Sequence, residues 1–268
     1  MRKISLDRLS ALFGAINESR ALYLPVDNRK TTSYERWDES KELSEAPNSS
    51  RSPKDLFFPQ TEELMEFKVD GKKIEINDLR RESEDFVVFG VRACDVRSLD
   101  VLDRVFLSEP RDTFYENRRE HGTIMSLACG RPRETCFCTA FGIDPSEPHG
   151  DIACWMANGA LYMKAVTEKG KTLEEALSAV TEAAEDDEIL EEKARISERV
   201  GKLPLASLKT DAFGAGKTEK FFSAPEWAEL SESCLGCGSC TYVCPTCQCY
   251  DIKDFNTGHC VKRLRCWD

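Results

Sequence analysis

Thirteen of the 268 residues are cysteines, and the densest run is Cys234-Leu-Gly-Cys237-Gly-Ser-Cys240-Thr-Tyr-Val-Cys244-Pro245, a C-x2-C-x2-C-x3-C-P spacing. Thiolate sulfur is a soft donor, and four such donors set close together suit the tetrahedral irons of a cubane 4Fe-4S cluster. Structural zinc also takes four cysteines, but usually as two C-x2-C pairs separated by a longer arm. Three cysteines two residues apart, closed by Cys-Pro, therefore read as ligands of a cluster. Gly236 and Gly238 fit this reading, because they let backbone N–H groups turn toward a bulky anionic group where side chains would collide.

A second set is dispersed. Residues 85–91 contain the continuous apolar run Phe86-Val87-Val88-Phe89, as expected of a strand covered on both faces, and Cys94 lies just beyond it. Residues 122–128, with Ile124, Met125 and Leu127, read as the next buried strand, and Cys129 lies just beyond that. Parallel strands would bring both thiols out at the carboxyl edge of the sheet, where ligands of open α/β folds collect. Cys136 and Cys138 follow in a loop that can fold back over the edge, giving four thiolates from three loops and a possible additional 4Fe-4S site. The competing reading makes Cys94 and Cys129 small buried residues at strand ends. Arg92, Arg97 and Arg131 either offset cluster charge or form surface ion pairs. Cys247, Cys249, Cys260 and Cys266 offer donors for a further cluster but read more simply as packing and cluster shielding, and Cys154 reads as core. His121, His149 and His259 have no metal-ligand spacing.

The elements that must position these thiols follow from periodicity. Leu6, Leu9, Leu12, Phe13 and Ile16 predict a helix over 4–19, followed by short strands at 21–26 and 29–37. Residues 38–53, rich in Glu, Ser, Asn and Pro, read as a mobile loop, and 65–76 as a hairpin turning at Asp70-Gly71. After the strand at 85–91, Val96, Leu99, Leu102, Val105 and Phe106 share one helix face. A charged helix follows at 111–120, and the order strand, helix, helix, strand implies parallel pairing. A strand is expected at 160–167, and Thr172-x-x-Glu175 as a capping box opening a helix to about 184. An acidic helix with a solvated face is expected over 185–200, and 201–218 reads as a linker. The expected fold is an α/β (α+β) N-terminal domain over 1–215 with a partly parallel sheet, then a small, incomplete ferredoxin-like iron-sulfur domain over 216–268. Trp227, Val243, Tyr250 and Ile252 are expected to keep water from the C-terminal cluster.

Composition narrows the function. A net charge of −11 without a basic stripe argues against nucleic-acid binding. The odd cysteine count, the length and the lack of a secretory signal pattern argue against a disulfide scaffold and for a reducing cytoplasm. No apolar stretch reaches membrane-spanning length. Gly216-Lys217-Thr218 ends like a phosphate-binding loop, but the position five residues before Gly216 is Asp211 rather than glycine. There is no nucleophile elbow, and no G-x-G-x-x-G follows a strand, so catalysis and nicotinamide oxidation by this chain itself are not indicated.

Four segments taken together are more specific: Phe89-Gly-Val-Arg-Ala-Cys-Asp-Val-Arg97, Leu102-Asp-Arg-Val-Phe106, Thr135-Cys-Phe-Cys138 and the cysteine-rich run from Cys234 to Cys249. From about residue 4 onward the chain resembles the family of iron-sulfur electron-transfer subunits found in anaerobic sulfite reductase and, as the β subunit, in cytoplasmic nickel-iron sulfhydrogenases. The resemblance implies a non-catalytic subunit of an anaerobic oxidoreductase complex. Such a subunit relays single electrons from an NAD(P)H-oxidising flavoprotein partner to a separate catalytic subunit. Members of that family continue past the element seen here at 263–268 and carry a second cysteine quartet, whereas this sequence stops at Asp268. Either the sequence is a fragment and Cys244 serves the second cluster, as in two-cluster ferredoxins, or Cys244 closes the first cluster itself. The alternative of a different class is a cysteine-rich redox-sensing or zinc-binding scaffold protein.

Overall fold

In a computed structural model, which describes residues 1–79 and 84–268, the two apolar runs form the middle of a sheet. The chain opens with β1 (Arg2–Ser5), a short 3-10 turn and α1 (Leu9–Asn17), then the hairpin β2 (Ala21–Asn28) and β3 (Thr31–Arg36). The single turn α2 (Lys54–Phe57) precedes a second hairpin, β4 (Thr61–Asp70) and β5 (Lys73–Asp78). Next come β6 (Phe86–Val91), α3 (Ala93–Phe106), α4 (Thr113–His121), β7 (Gly122–Leu127), β8 (Ile152–Ala157) and β9 (Ala160–Ala165). They are followed by α5 (Glu168–Ala176), the two-residue β10 (Glu182–Ala183) and α6 (Leu190–Gly201). The C-terminal stretch holds α7 (Glu226–Ser231), α8 (Ser239–Val243), β11 (Tyr250–Asn256) and β12 (Cys260–Trp267).

Among the described residues the larger sheet has eight strands in the order β10-β1-β9-β8-β7-β6-β2-β3. Its centre is parallel, β2 with β6, β6 with β7 and β7 with β8, and its flanks are antiparallel. Every residue of β6 and of β7 is buried because helices cover both faces. On one face Leu12, Phe13 and Ile16 of α1 and Leu173 of α5 pack on Val87, Phe89, Met125 and Leu127. On the other, Val96, Leu99, Leu102 and Phe106 of α3 and Tyr115 of α4 pack on Val88, Val91 and Ile124. Each such side chain contributes roughly 1.5–3 kcal/mol of burial. The Asp112 carboxylate caps α4 by accepting from the backbone N–H groups of Phe114 and Tyr115 at 3.1 and 3.0 Å.

A smaller antiparallel sheet, in the order β11-β12-β4-β5, joins the C-terminal hairpin to the one at residues 61–78. Arg265 of β12 stands directly opposite Glu62 of β4, and Trp267 enters the same core as Phe58 and Phe106. The ladder between β12 and β4 thus crosses back over the boundary expected at 215.

Several local expectations are corrected. Ile4 and Ser5, expected in the first helix, belong to β1 because they pair with β9, and the α-helix itself starts at Leu9. Strand β8 was not anticipated. Helix α5 is capped by Thr167, whose hydroxyl accepts from Gly170 N–H, while Thr172 lies within the helix and donates to the Glu168 carbonyl. The helix stops at Ala176, well short of 184, and the capping box is formed by Glu185 and Glu188. The face of α6 is not wholly solvated, since Ile196 and Val200 pack under β8 and β9. Trp227, Val243, Tyr250 and Ile252 are exposed rather than arranged as a water barrier. Among the described residues no helix is long and apolar enough to cross a membrane.

Candidate metal centres

The parallel order of β6 and β7 does bring the dispersed thiols to one edge. Cys94 lies in the first turn of α3, just past the end of β6. Cys129 is buried two residues past β7, with its N–H donating to the Pro145 carbonyl at 3.0 Å. Cys138 opens a 3-10 turn that folds back over the edge, and Cys94 and Cys138 share a hydrogen bond that pushes Cys94 up and draws Cys138 down. Burial pushes the Cys129 thiol up, and Arg92 beside it pulls the other way, against repulsion from Cys136 and Cys138. The Arg92 guanidinium is held there by donating to the Ala128 carbonyl at 3.1 Å. Cys136 accepts at its sulfur from the Arg133 N–H at 3.3 Å, the N–H···S contact that steadies a thiolate ligand. Arg97 and Arg131 are turned elsewhere, toward Asp100 and Glu45 on the surface.

The end of α6 and the segment read as a linker hold this loop down. Arg199 donates to the Gly130 carbonyl at 2.6 Å, Thr139 to Ala206 at 3.0 Å and Thr210 to Ala140 at 3.3 Å. Cys154 is buried within β8 and belongs to the core, as expected.

The C-terminal run is laid out differently. Cys234, Cys237 and Cys240 are exposed on a turn whose Gly236 and Gly238 have φ of 65° and 70°, a left-handed backbone that favours glycine. Gly236 N–H donates to Cys234 Sγ at 3.4 Å, and the hydroxyl and N–H of Ser239 lower the Cys237 thiol. Cys244 is half-buried where these three are exposed, and its sulfur lies 3.3 Å from the Thr246 hydroxyl. Burial pushes its thiol up, but hydrogen bonds from Thr246 and Cys247 outweigh it and hold the thiol below its ordinary value. Among the described residues no three His, Cys, Asp or Glu side chains converge as a single ion requires. A cubane spreads its ligands over four irons, so its thiols stand farther apart.

Beneath the Cys244–Cys247 loop lies a residue to which the sequence pattern gives no role. Lys54 of α2 is 2% exposed, and its Nζ donates to the carbonyl oxygens of Cys244 and Cys247 at 3.0 and 3.2 Å. Its Nζ also sits 3.6 Å from the centroid of the Trp267 ring. Its partners are 190 or more positions away in sequence, and no local pattern marks it. The Trp267 Nε1–H is buried without a hydrogen-bond partner among the described residues. A cleft of about 610 Å³ beside β7, lined by Arg119, His149, Asp151 and Lys169, holds no cysteine in its described lining. Its cations are engaged, Arg119 with Asp103 at 2.8 Å and Lys169 with the Gly122 carbonyl at 2.9 Å.

Soft donors supplied with N–H partners and nearby cations fit an iron-sulfur cluster, whose irons exchange single electrons. The class that fold and thiols define is an iron-sulfur electron-transfer protein. Residues 233–268 match the family model described as a 4Fe-4S dicluster domain. The chain is also 30% identical over 253 residues to sulfhydrogenase 2 subunit beta of Pyrococcus furiosus, covering 94% of this chain and 73% of that protein. It belongs to the family of iron-sulfur electron-transfer subunits that includes this β chain, and its cofactor is 4Fe-4S.

Proposed function

We propose that this chain takes single electrons from an NAD(P)H-oxidising flavoprotein partner and delivers them to a separate catalytic partner such as a hydrogenase or sulfite reductase. Two 4Fe-4S sites would serve it, one on Cys94, Cys129, Cys136 and Cys138 and one on Cys234, Cys237, Cys240 and Cys244. What supports the reading is the position of Cys94 and Cys129 just past the parallel strands β6 and β7, with Cys138 near enough to shift both thiols and Cys136 near enough to shift Cys129. A bound cluster supplies one-electron exchange in which no substrate bond is made or broken. The chain holds the thiolates, gives sulfur its N–H and cationic partners, and pins the 130–142 loop over the inner set. The outer run is open to a neighbouring protein, with Leu235 93% exposed. A relative named as a sulfhydrogenase subunit supports an assembly with other chains. A reducing compartment such as the cytoplasm would keep the thirteen thiols free for iron.

Iron counting on the anaerobically reconstituted full chain tests this reading. It should give about eight irons, of which Cys138→Ser removes about four and Cys237→Ser the other four. A chain that loads about four irons and ignores substitution of Cys94, Cys129, Cys136 or Cys138 overturns the inner site. Colourless protein with stoichiometric zinc overturns the relay.

A further inference from the structure

Lys54 and Trp267 share one unfinished environment. A buried ammonium normally makes a close pair with a carboxylate, yet the neighbouring Asp55 is ion-paired with Arg51 and offsets the Lys54 charge only from a distance, and among the described residues Lys54 has no close ion pair. Two carbonyl dipoles and one ring face stand in, and both carbonyls belong to cysteines of the C-terminal run. The indole against it has its own buried N–H unused. That indole is 6% exposed and lies 6.1 Å, centroid to centroid, from Tyr242, which is placed between Cys240 and Cys244. A buried cation bound to the backbone of this cysteine run and a buried, unpartnered N–H stacked against it lie together beneath the Cys244–Cys247 loop, where an anionic group would complete them.

We propose that Lys54 and Trp267 form the polar floor of the C-terminal cluster site: positioning residues, not ligands, that hold the Cys244–Cys247 loop and raise the reduction potential there. The proposal rests on the reading that the 234–244 run binds a cluster. The sign follows from charge. Reduction adds one negative charge at the cluster, and a nearby cation and N–H donor stabilise that charge more than the oxidised state.

The test is an EPR-monitored redox titration of the full, reconstituted chain, with Cys237→Ser used to identify the C-terminal signal and Cys138→Ser the inner one. Lys54→Met keeps the length of the stem and removes the charge. It should shift the C-terminal equilibrium roughly tenfold toward the oxidised form, a fall of ~59 mV for one electron, while the inner signal stays in place. Lys54→Arg should restore the wild-type value. Trp267→Phe, which keeps a stacking ring without the N–H, should lower the potential in the same direction and by less. Loss of the C-terminal iron in Lys54→Met with retention in Lys54→Arg also supports the loop-holding role. Fully loaded Lys54→Met and Trp267→Phe proteins at the wild-type potential overturn the proposal; if Lys54→Met fails to load iron, an unmoved Trp267→Phe potential removes the tryptophan's part. A wild-type chain with no signal lost in Cys237→Ser overturns the cluster reading beneath it, a result visible before either floor variant is made.

Discussion

Arg265 donates to the carboxylates of Glu62 and Asp112 and lies over the faces of Phe58 and Tyr250, so β12 brings a cation into the apolar core. Arg118 reaches the other oxygen of Glu62. Such a buried network adds little net stability, because desolvation offsets most of the attraction, but removing one member leaves charges with nowhere to go. Arg265→Met should therefore lower the stability of the cluster-free protein by about 3–5 kcal/mol, read from the denaturant midpoint. Adding Glu62→Leu should recover part of that loss, and a midpoint unchanged by Arg265→Met would show the network to be dispensable. Almost none of this is legible in the sequence. The partners of Arg265 lie 153 and 203 positions away, and side-chain type alone does not pair residues so far apart. The thiols are far more legible, since soft ligands in a tight spacing have few other uses, and Cys94 and Cys129 follow unmistakably buried strands.

Helix α5 crosses β8 so closely that a methyl group on Gly170 would stand 1.9 Å from the Asp151 carbonyl oxygen. Alanine ordinarily gains about 1 kcal/mol over glycine inside a helix, but here the obstacle is backbone that cannot rotate away. Gly170→Ala should cost a net ~1–3 kcal/mol and lower the melting temperature by several degrees in calorimetry; a rise would show that the helix can slide. The same crossing explains why the sequence misplaces the start of α5. Thr172-x-x-Glu175 satisfies the local capping pattern, yet the end of β9 at Ala165 and the contact at Gly170 place the cap at Thr167. Strand β8 escapes notice because its residues, Ile-Ala-Cys-Trp-Met-Ala, are poor in β-branched side chains. The turn that follows it, Asn158-Gly159, is the available signal, a two-residue hairpin pair between Ala157 and Ala160. Strands β6 and β7 stand where the sequence puts them, since continuous apolar runs leave little choice, while the hairpin forms as expected but turns at Gly71-Lys72, one residue on, with Asp70 paired to Lys73 in the ladder.

Across the molecule, order is unevenly distributed. The eight-stranded sheet carries three buried clusters, whereas residues 213–243 leave Phe213, Phe222, Trp227, Leu230, Leu235 and Val243 exposed. A stretch that buries so little relies on ligation for its order, so metal binding there contributes to folding. Anaerobic chelation of iron should make 213–249 sensitive to limited proteolysis while far-UV circular dichroism keeps most of its signal. Equal resistance with and without iron would show that the stretch holds itself. This unevenness also sets what the sequence can reveal, because composition suggests two parts, while the return of β12 to β4 across the expected boundary is a long-range pairing that composition does not encode.

That return has a further consequence, for synthesis. Lys262 and Glu63, which close the β12 to β4 ladder, are 199 positions apart. On the ribosome β4 emerges with β5 on one side and an open edge on the other, and open edges invite pairing with another nascent chain. The smaller sheet can close only once residues 260–267 have been made, so β4 keeps that edge open through the synthesis of nearly two hundred further residues.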